Sequence, residues 1–456
     1  MARVPGPWYS QWTSAVLDYK WLTGQRPIYV HYLHEKYGPV VRIAPNEVDV
    51  TDMESVKAIY NVKETFKKSS FYRKLTSVRT PVLFALTDVE ERQRLRRLLG
   101  SSISASALKP LIPLVVSRID LYIQRIKEEM EIRGAADIFK WNLFLATDVV
   151  GELSFGESFR TLELGEKNQY VHVIENIGPL GALRYTLPTL TSLAFTMRLP
   201  FIRKVAEASQ HMRRYGEECL GRYYRLASSD PDRVKNSLFK KLFNAEEREM
   251  VTFEEICANA QGYILAGSDT TASTLTYLIW SVCRQPYIRS ELIKQLETLP
   301  PTYCDDNLRK LPYLNYVIDE TLRLYSAAPS GLPREVPPGG ADIAGYWLKG
   351  GSIVCAQAYS LHRNPTIFPN PEKFDPSRWQ APTRAMTESF LPFSRGPRIC
   401  IGLHLAQLEL RLAAARFFLE FPEAKLSTRE GFSDKDMSQE MFFVSNPTGK
   451  RCLIDV

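Results

Sequence analysis

From Thr252 to Cys283 the chain reads TFEEICANAQGYILAGSDTTASTLTYLIWSVC. Thr252 with Glu255 three residues on is a capping box, and Pro286 closes the run. Apolar residues fall on almost every face of the helix this predicts. A long helix without a polar stripe crosses the middle of a core. It needs a large body around it, and 456 residues at 45% hydrophobic supply one. The segment AGSDTT, residues 266–271, interrupts the apolar run. Asp269 in a buried helix is costly unless paired or wetted. Either it turns to solvent, or the helix carries a wet gap by design. Gly262 and Gly267 weaken the local helix and let it bulge around a ligand. Thr270 has a hydroxyl that bonds back to a carbonyl or forward to something bound.

Helical punctuation dominates elsewhere. LPYLNYVIDETLRLY (311–325) carries an apolar stripe at helical spacing, and LHLAQLELRLAAARFFLEF (403–421) ends before Pro422. Exceptions are a hairpin over PVVRIAPNEVDVTD (39–52), a strand in GSIVCAQAY (351–359), and a last hairpin pairing EMFFVS with KRCLIDV across NPTG. No repeat, low-complexity tract or Gly/Ser linker divides the chain. The expectation is one large, mostly helical unit over 27–456 with small peripheral sheets, preceded by a hinge region, 1–26. The opening MARVPGPW suits a stiff hinge that once followed a membrane anchor, or a naturally short N-terminus. No 18-residue run is free of charged or strongly polar residues, and no signal-peptide pattern is present.

The net charge is +7, with both signs interspersed. A solvated surface accounts for most of it, and a basic face for an acidic protein or anionic lipid is compatible. Nucleic acid is not indicated: there is no long Lys/Arg block and no finger, RRM or basic-zipper pattern. The seven cysteines are scattered, with no C-x-x-C, so neither a zinc site nor a dithiol pair is indicated and most thiols are core filler.

Cys400 differs from the rest by its neighbours. It lies in FSRGPRICIG, residues 393–402, a turn-rich loop running into a helix. Helix N-terminal amides and Arg398 favour a thiolate there. Gly396, Pro397 and Gly402 allow close approach by something flat. His404 lies on the following helix, and none of the six histidines has a cysteine-protease context. A thiolate held as a metal ligand fits better than a nucleophile.

FSRGPRICIG matches, at every fixed position, the F-x-x-G-x-R-x-C-x-G loop of the cytochromes P-450. AGSDTT resembles that family's oxygen-activation motif, and ETLR (320–323) its E-x-x-R. PEKFDPSRW (371–379) resembles the segment that completes a Glu-Arg-Arg triad, here with Arg378. ERQRLRRLL (91–99) and GLPREV (331–336) resemble segments that supply propionate arginines, here Arg96 and Arg334. Order and spacing hold from about residue 27 to the end.

The resemblance implies the mainly α fold of that family, with haem between the long central helix and the cysteine loop. Cys400 is then the thiolate ligand of haem b iron. Arg398, Arg334 and Arg96 pair the propionates, with Arg92 as a further donor. Phe393 shields the sulfur; Gly396 and Gly402 let backbone approach the porphyrin. Glu320, Arg323 and Arg378 lock the fold. Asp269 and Thr270 relay protons to O2, and Ala266 and Gly267 leave it room. Three positions depart from the pattern: Arg92 stands where Trp or His is common, Arg395 where Gly or Ala is, and Lys349 where a proline is.

LHEKYGPVVRIAPNEV, LTDVEERQRLRRLL and SFGESF are similar to fungal microsomal members acting in secondary metabolism. That implies an endoplasmic-reticulum anchor, a cytosolic catalytic domain and electrons from NADPH through a separate flavoprotein reductase. The chain has no P-loop and no G-x-G-x-x-G after a strand. By position in the family, Tyr72, Leu75, Val78, Val82, Phe84, Leu332 and Phe442 line the substrate pocket. GPLGALRYTLPTLTSLAFTM (178–197) reads as a mobile lid, or as a membrane-dipping segment. The expected substrate is an apolar polyketide, terpenoid or indole-type metabolite, hydroxylated, epoxidised or otherwise oxidised. The alternatives are oxidative coupling, rearrangement or dehydration on the same scaffold, and a catalytically silent haem sensor.

Overall fold

The computed structural model describes residues 3–76, 80, 82–167, 169–191, 200–234, 237–246 and 251–456. Its centre is the helix Phe253–Cys283, continuous through Gly262 and Gly267. Both halves of the capping box are present: Glu255 N donates to Thr252 Oγ1 at 3.2 Å and Thr252 N to Glu255 Oε2 at 2.8 Å. Two orphan amides are thereby satisfied.

The helix Ile138–Phe155 lies against it and is buried almost throughout. Asp137 caps its start, and Gly156, at φ 77°, ends it in the left-handed region. Tyr122 donates to Asn142, and Asn142 Nδ2 to Thr276 Oγ1 at 2.9 Å, so the contact between the two helices is polar as well as apolar. At Gly267 a Cβ would stand 2.4 Å from Val150 Cγ2. Gly267 therefore also serves helix–helix approach, beside its expected role of leaving room at the site. Leu403–Glu420 and Pro312–Leu324 complete this body, and their apolar faces join one contiguous core.

A five-stranded sheet flanks it in the order Val40–Ala44, Glu47–Val50, Ile353–Cys355, Arg334–Glu335, Lys67–Lys68. The first pair is the expected hairpin, and Ile353–Cys355 the expected strand, shorter than the sequence suggested. The C-terminal hairpin is different. Gln439–Met441 pairs with Ser445–Pro447, while Leu453–Asp455 pairs with Ala136–Asp137 and Lys425–Leu426. Phe442 and Phe443 thus sit in the turn rather than in a strand, and Trp21 Nε1 donates to the Phe442 carbonyl at 2.9 Å.

The stretch before residue 27 packs on the rest. Val4 and Trp21 are buried, and Arg42 N donates to Pro5 O at 2.7 Å. The helix Gln169–Thr186 runs through Gly178, Pro179 and Gly181, so the start of the expected lid is helical. Residues 192–197 of the expected lid, and Val78, lie outside the described residues. Among the described residues, no single helix is long and apolar enough to cross a membrane.

Candidate active site

Cys400 opens onto a cavity of about 1350 Å³. The loop that presents it is closed by the Cys400 amide, which donates to Phe393 O at 3.0 Å. Gly396 turns at φ 71°, and a Cβ there would stand 2.6 Å from the Tyr60 carbonyl. Chain packing therefore demands this glycine, in addition to its expected role beside a porphyrin. Gly402 begins the helix Leu403–Glu420, and a Cβ on it would meet only Cys400 Sγ, at 3.9 Å. No packing within the chain demands that glycine. Burial raises the Cys400 thiol pKa, while the amides of Gly402 and Leu403 and the Arg96 guanidinium act the other way. Arg96, rather than the expected Arg398, is the guanidinium that favours its thiolate.

Arg92, Arg96, Arg334 and Arg398 all line this cavity. Arg92 and Arg96 lie on the helix Val89–Gly100, capped by Asp88. Arg334 is the strand partner of Lys68, so both side chains leave the same face of the sheet, and Lys68 lines the cavity too. Among the described residues only Glu64 pairs with any of these five cations, bonding Arg92 and, at 2.5 Å, Arg398. Arg96 donates to the Ile399 carbonyl at 3.1 Å, and Arg334 stacks over Tyr60. Arg92 Nε, Arg334 Nε and Arg398 Nη2 are buried without a partner. Burial, with Arg398 and Arg334 nearby, holds the Lys68 ammonium pKa well below its ordinary value. Five cations around one carboxylate make a rim that an acidic ligand would stabilise.

Ala266, Gly267, Asp269 and Thr270 line the same cavity. Asp269 is buried, which decides between its two readings, and Asn446 Nδ2 donates to it at 3.3 Å. Thr270 Oγ1 donates back to the Ala266 carbonyl at 2.6 Å. Phe393, Tyr72, Leu75, Val82, Phe84, Leu332 and Phe442 complete the expected lining.

Beside the cavity, Glu320 and Arg323 are fully buried and joined through two bonds, at 2.8 and 2.9 Å. Arg378 Nε reaches Glu320 at 2.9 Å, as expected. The Asp375 amide and Trp379 Nε1 also donate to Glu320.

A cytochrome P-450 family model matches residues 5–453. The chain belongs to the cytochrome P-450 family. It is 45% identical to the cytochrome P-450 monooxygenase tazI of Aspergillus terreus, over 100% of this chain and 94% of the relative. It is 39% identical to the monooxygenase orf2 of Aspergillus niger, over 100% and 93%. It is 33% identical to stcB of Emericella nidulans, over 100% and 88%. The chain is a cytochrome P-450 monooxygenase, of a family that holds haem and uses O2 with electrons from a redox partner.

The residues present fit haem on their own chemistry. A sulfur faced by two amides shares a cavity with cations whose donors are unspent, and a propionate-bearing porphyrin answers both. Sequence reasoning missed Glu64, Lys68, Tyr60, Trp379 and Asn446. It also missed Tyr263 and Glu409, which line the cavity; burial alone pushes the Glu409 carboxyl well above the carboxylate range. Apart from Trp379, which ends PEKFDPSRW, these residues lie outside the family motifs, and only the folded chain brings them to the site.

Proposed function

We propose that this cytochrome P-450 inserts oxygen into an apolar secondary metabolite, with haem b held by Cys400 and the cationic rim. One observation carries the reading: Cys400, the unspent donors of Arg92, Arg334 and Arg398, and the Ala266–Thr270 segment share one cavity. When bound, haem supplies the iron at which O2 is activated. The chain's own residues do the rest. The Gly402 and Leu403 amides stabilise charge on Cys400 sulfur. Arg96, Arg334, Arg398 and Arg92, with Lys68, would pair the two propionates. Thr270, whose hydroxyl proton is held by the Ala266 carbonyl, keeps its lone pairs available to accept a hydrogen bond at the cavity, and Asp269 would bring protons to this segment. Asn446 holds the Asp269 carboxylate in place.

Tyr72, Leu75, Val82, Phe84, Leu332 and Phe442 exclude water and hold the substrate. Electrons come from NADPH through a separate flavoprotein reductase at the endoplasmic reticulum membrane; the resemblance of residues 33–48 to microsomal members supports this. Thr270→Ala is expected to lower product formed per NADPH severalfold, with peroxide released instead. Unchanged coupling would remove the relay role. Product mass after reaction under labelled O2 separates oxygen insertion, which retains label, from coupling or rearrangement, which does not.

A further inference from the structure

Arg184 is a cavity-lining guanidinium that the rim does not include. It lies on the helix Gln169–Thr186, whose Gly178 and Gly181 bring the backbone close to Phe442 and Leu75; a Cβ on either would stand 3.2 Å away. Its Nη2 donates to the Leu75 carbonyl, at the end of the short helix Phe71–Leu75. Its Nε is buried without a partner. Among the described residues no carboxylate pairs with it, and burial alone lowers its pKa. Lys450, also at the cavity, is answered by Glu440 at 2.5 Å. The cavity wall that Arg184 shares includes Trp21, Tyr72, Leu75 and Phe442, which pack in one apolar, aromatic cluster. The Tyr72 hydroxyl in that wall is a second buried donor without an acceptor.

A half-buried guanidinium with one neutral acceptor is unfavourable until an anion arrives. Clamping Leu75 occupies one nitrogen and explains neither the charge nor the unpartnered Nε. A planar fork with Nε free suits an anionic oxygen pair or a single acidic oxygen. We propose that Arg184 anchors an acidic oxygen of an otherwise apolar substrate, supplied by a carboxylate or by an acidic phenol or enol. The inference rests on the reading above in taking this cavity as the substrate's.

The test is binding of matched probes to the haem-loaded enzyme, followed by fluorescence quenching or calorimetry. One arm compares 9-anthracenecarboxylate with 9-anthracenemethanol; the other compares 2,4-dinitro-1-naphthol, ionised at neutral pH, with its methyl ether. In at least one arm the anion is expected to bind about tenfold more tightly. Arg184→Gln keeps a donor for Leu75 and is expected to erase that preference while the neutral probe's Kd stays within about twofold. Arg184→Met carries the same expectation should the Gln variant not fold. Preference in the first arm alone assigns a carboxylate, and in the second alone an acidic phenol or enol. Equal binding of acid and neutral probes by the wild type, or a ratio that survives both substitutions, overturns the proposal. The carbon monoxide spectrum of the same reduced sample reports on the haem-thiolate site separately, so failure of either idea is recognisable.

Discussion

Glu320, Arg323 and Arg378 form a knot in which every charge is answered, whereas Arg92, Arg96, Arg334, Arg398 and Lys68 form a rim in which most are not. In the knot, Glu320 accepts from both arginines, the Asp375 amide and Trp379; Arg323 spends its remaining donors on the carbonyls of His362, Pro371 and Lys373. No buried donor or acceptor of these three side chains is left over. In the rim, among the described residues, one carboxylate bonds two of the five cations, and three guanidinium nitrogens have no partner. A satisfied buried network fixes a fold. An unsatisfied one marks where a ligand belongs. The same residue type thus does opposite work, and hydrogen-bond accounting tells them apart where composition cannot.

Breaking the knot should have the largest effect. Glu320→Ala strands two buried guanidinium groups and is expected to destabilise the protein by about 3–5 kcal/mol. Loss of folded protein, or a large drop in Tm, would show it; a Tm near that of the wild type would mean the knot is not structural. The rim should respond differently. Arg96→Leu with Arg334→Leu removes charge from a region of excess cations, so the haem-free protein should keep its stability. Each lost charge-assisted bond is worth about 1.5–3 kcal/mol, so transfer of haem to apomyoglobin should quicken by at least about tenfold. An unchanged transfer rate would move those two side chains out of the cradle.

The smallest effect belongs to a third cluster, satisfied but titratable. His34 bonds Asp49 at 2.8 Å, and the Cys355 thiol donates to the same carboxylate at 3.0 Å. Burial pulls the His34 pKa down, but the Asp49 bond and charge outweigh it and the net shift is upward. A raised folded pKa stabilises fully below the unfolded value near 6.5, and the contribution is lost as pH rises through the folded pKa. The wild type should therefore outperform His34→Gln most at pH 6, with the gap narrowing towards pH 9. Each unit of pKa difference accounts for about 1.4 kcal/mol. Urea midpoints at the two pH values measure it; a gap that widens with pH would reverse the assignment.

What was legible in the sequence was local. The Thr252–Glu255 box, the Glu320–Arg323 spacing and the Cys400 loop are each contained within a few residues, so the helix period or a turn states their geometry directly. What was not legible depends on chain segments meeting from far apart. Lys68 sits in a two-residue strand whose partner is Arg334, and Glu64 meets Arg398 across most of the chain. The C-terminal strand was given the wrong partner because alternation shows that a strand exists and not what it pairs with. At Gly267 and Gly396, read as room for a ligand, Val150 and the Tyr60 carbonyl also come close. A missing side chain says that something comes close, and only the fold says what.

The central claim is that Cys400 sulfur and the open rim together hold haem through a thiolate. Reduction of the haem-loaded protein under carbon monoxide tests it most directly. A Soret band at the red-shifted, thiolate-type position in the wild type, lost in Cys400→His while haem is retained, is the predicted result. A band at the position typical of an imidazole-ligated haem in the wild type, or a thiolate-type band that persists in Cys400→His, would contradict it.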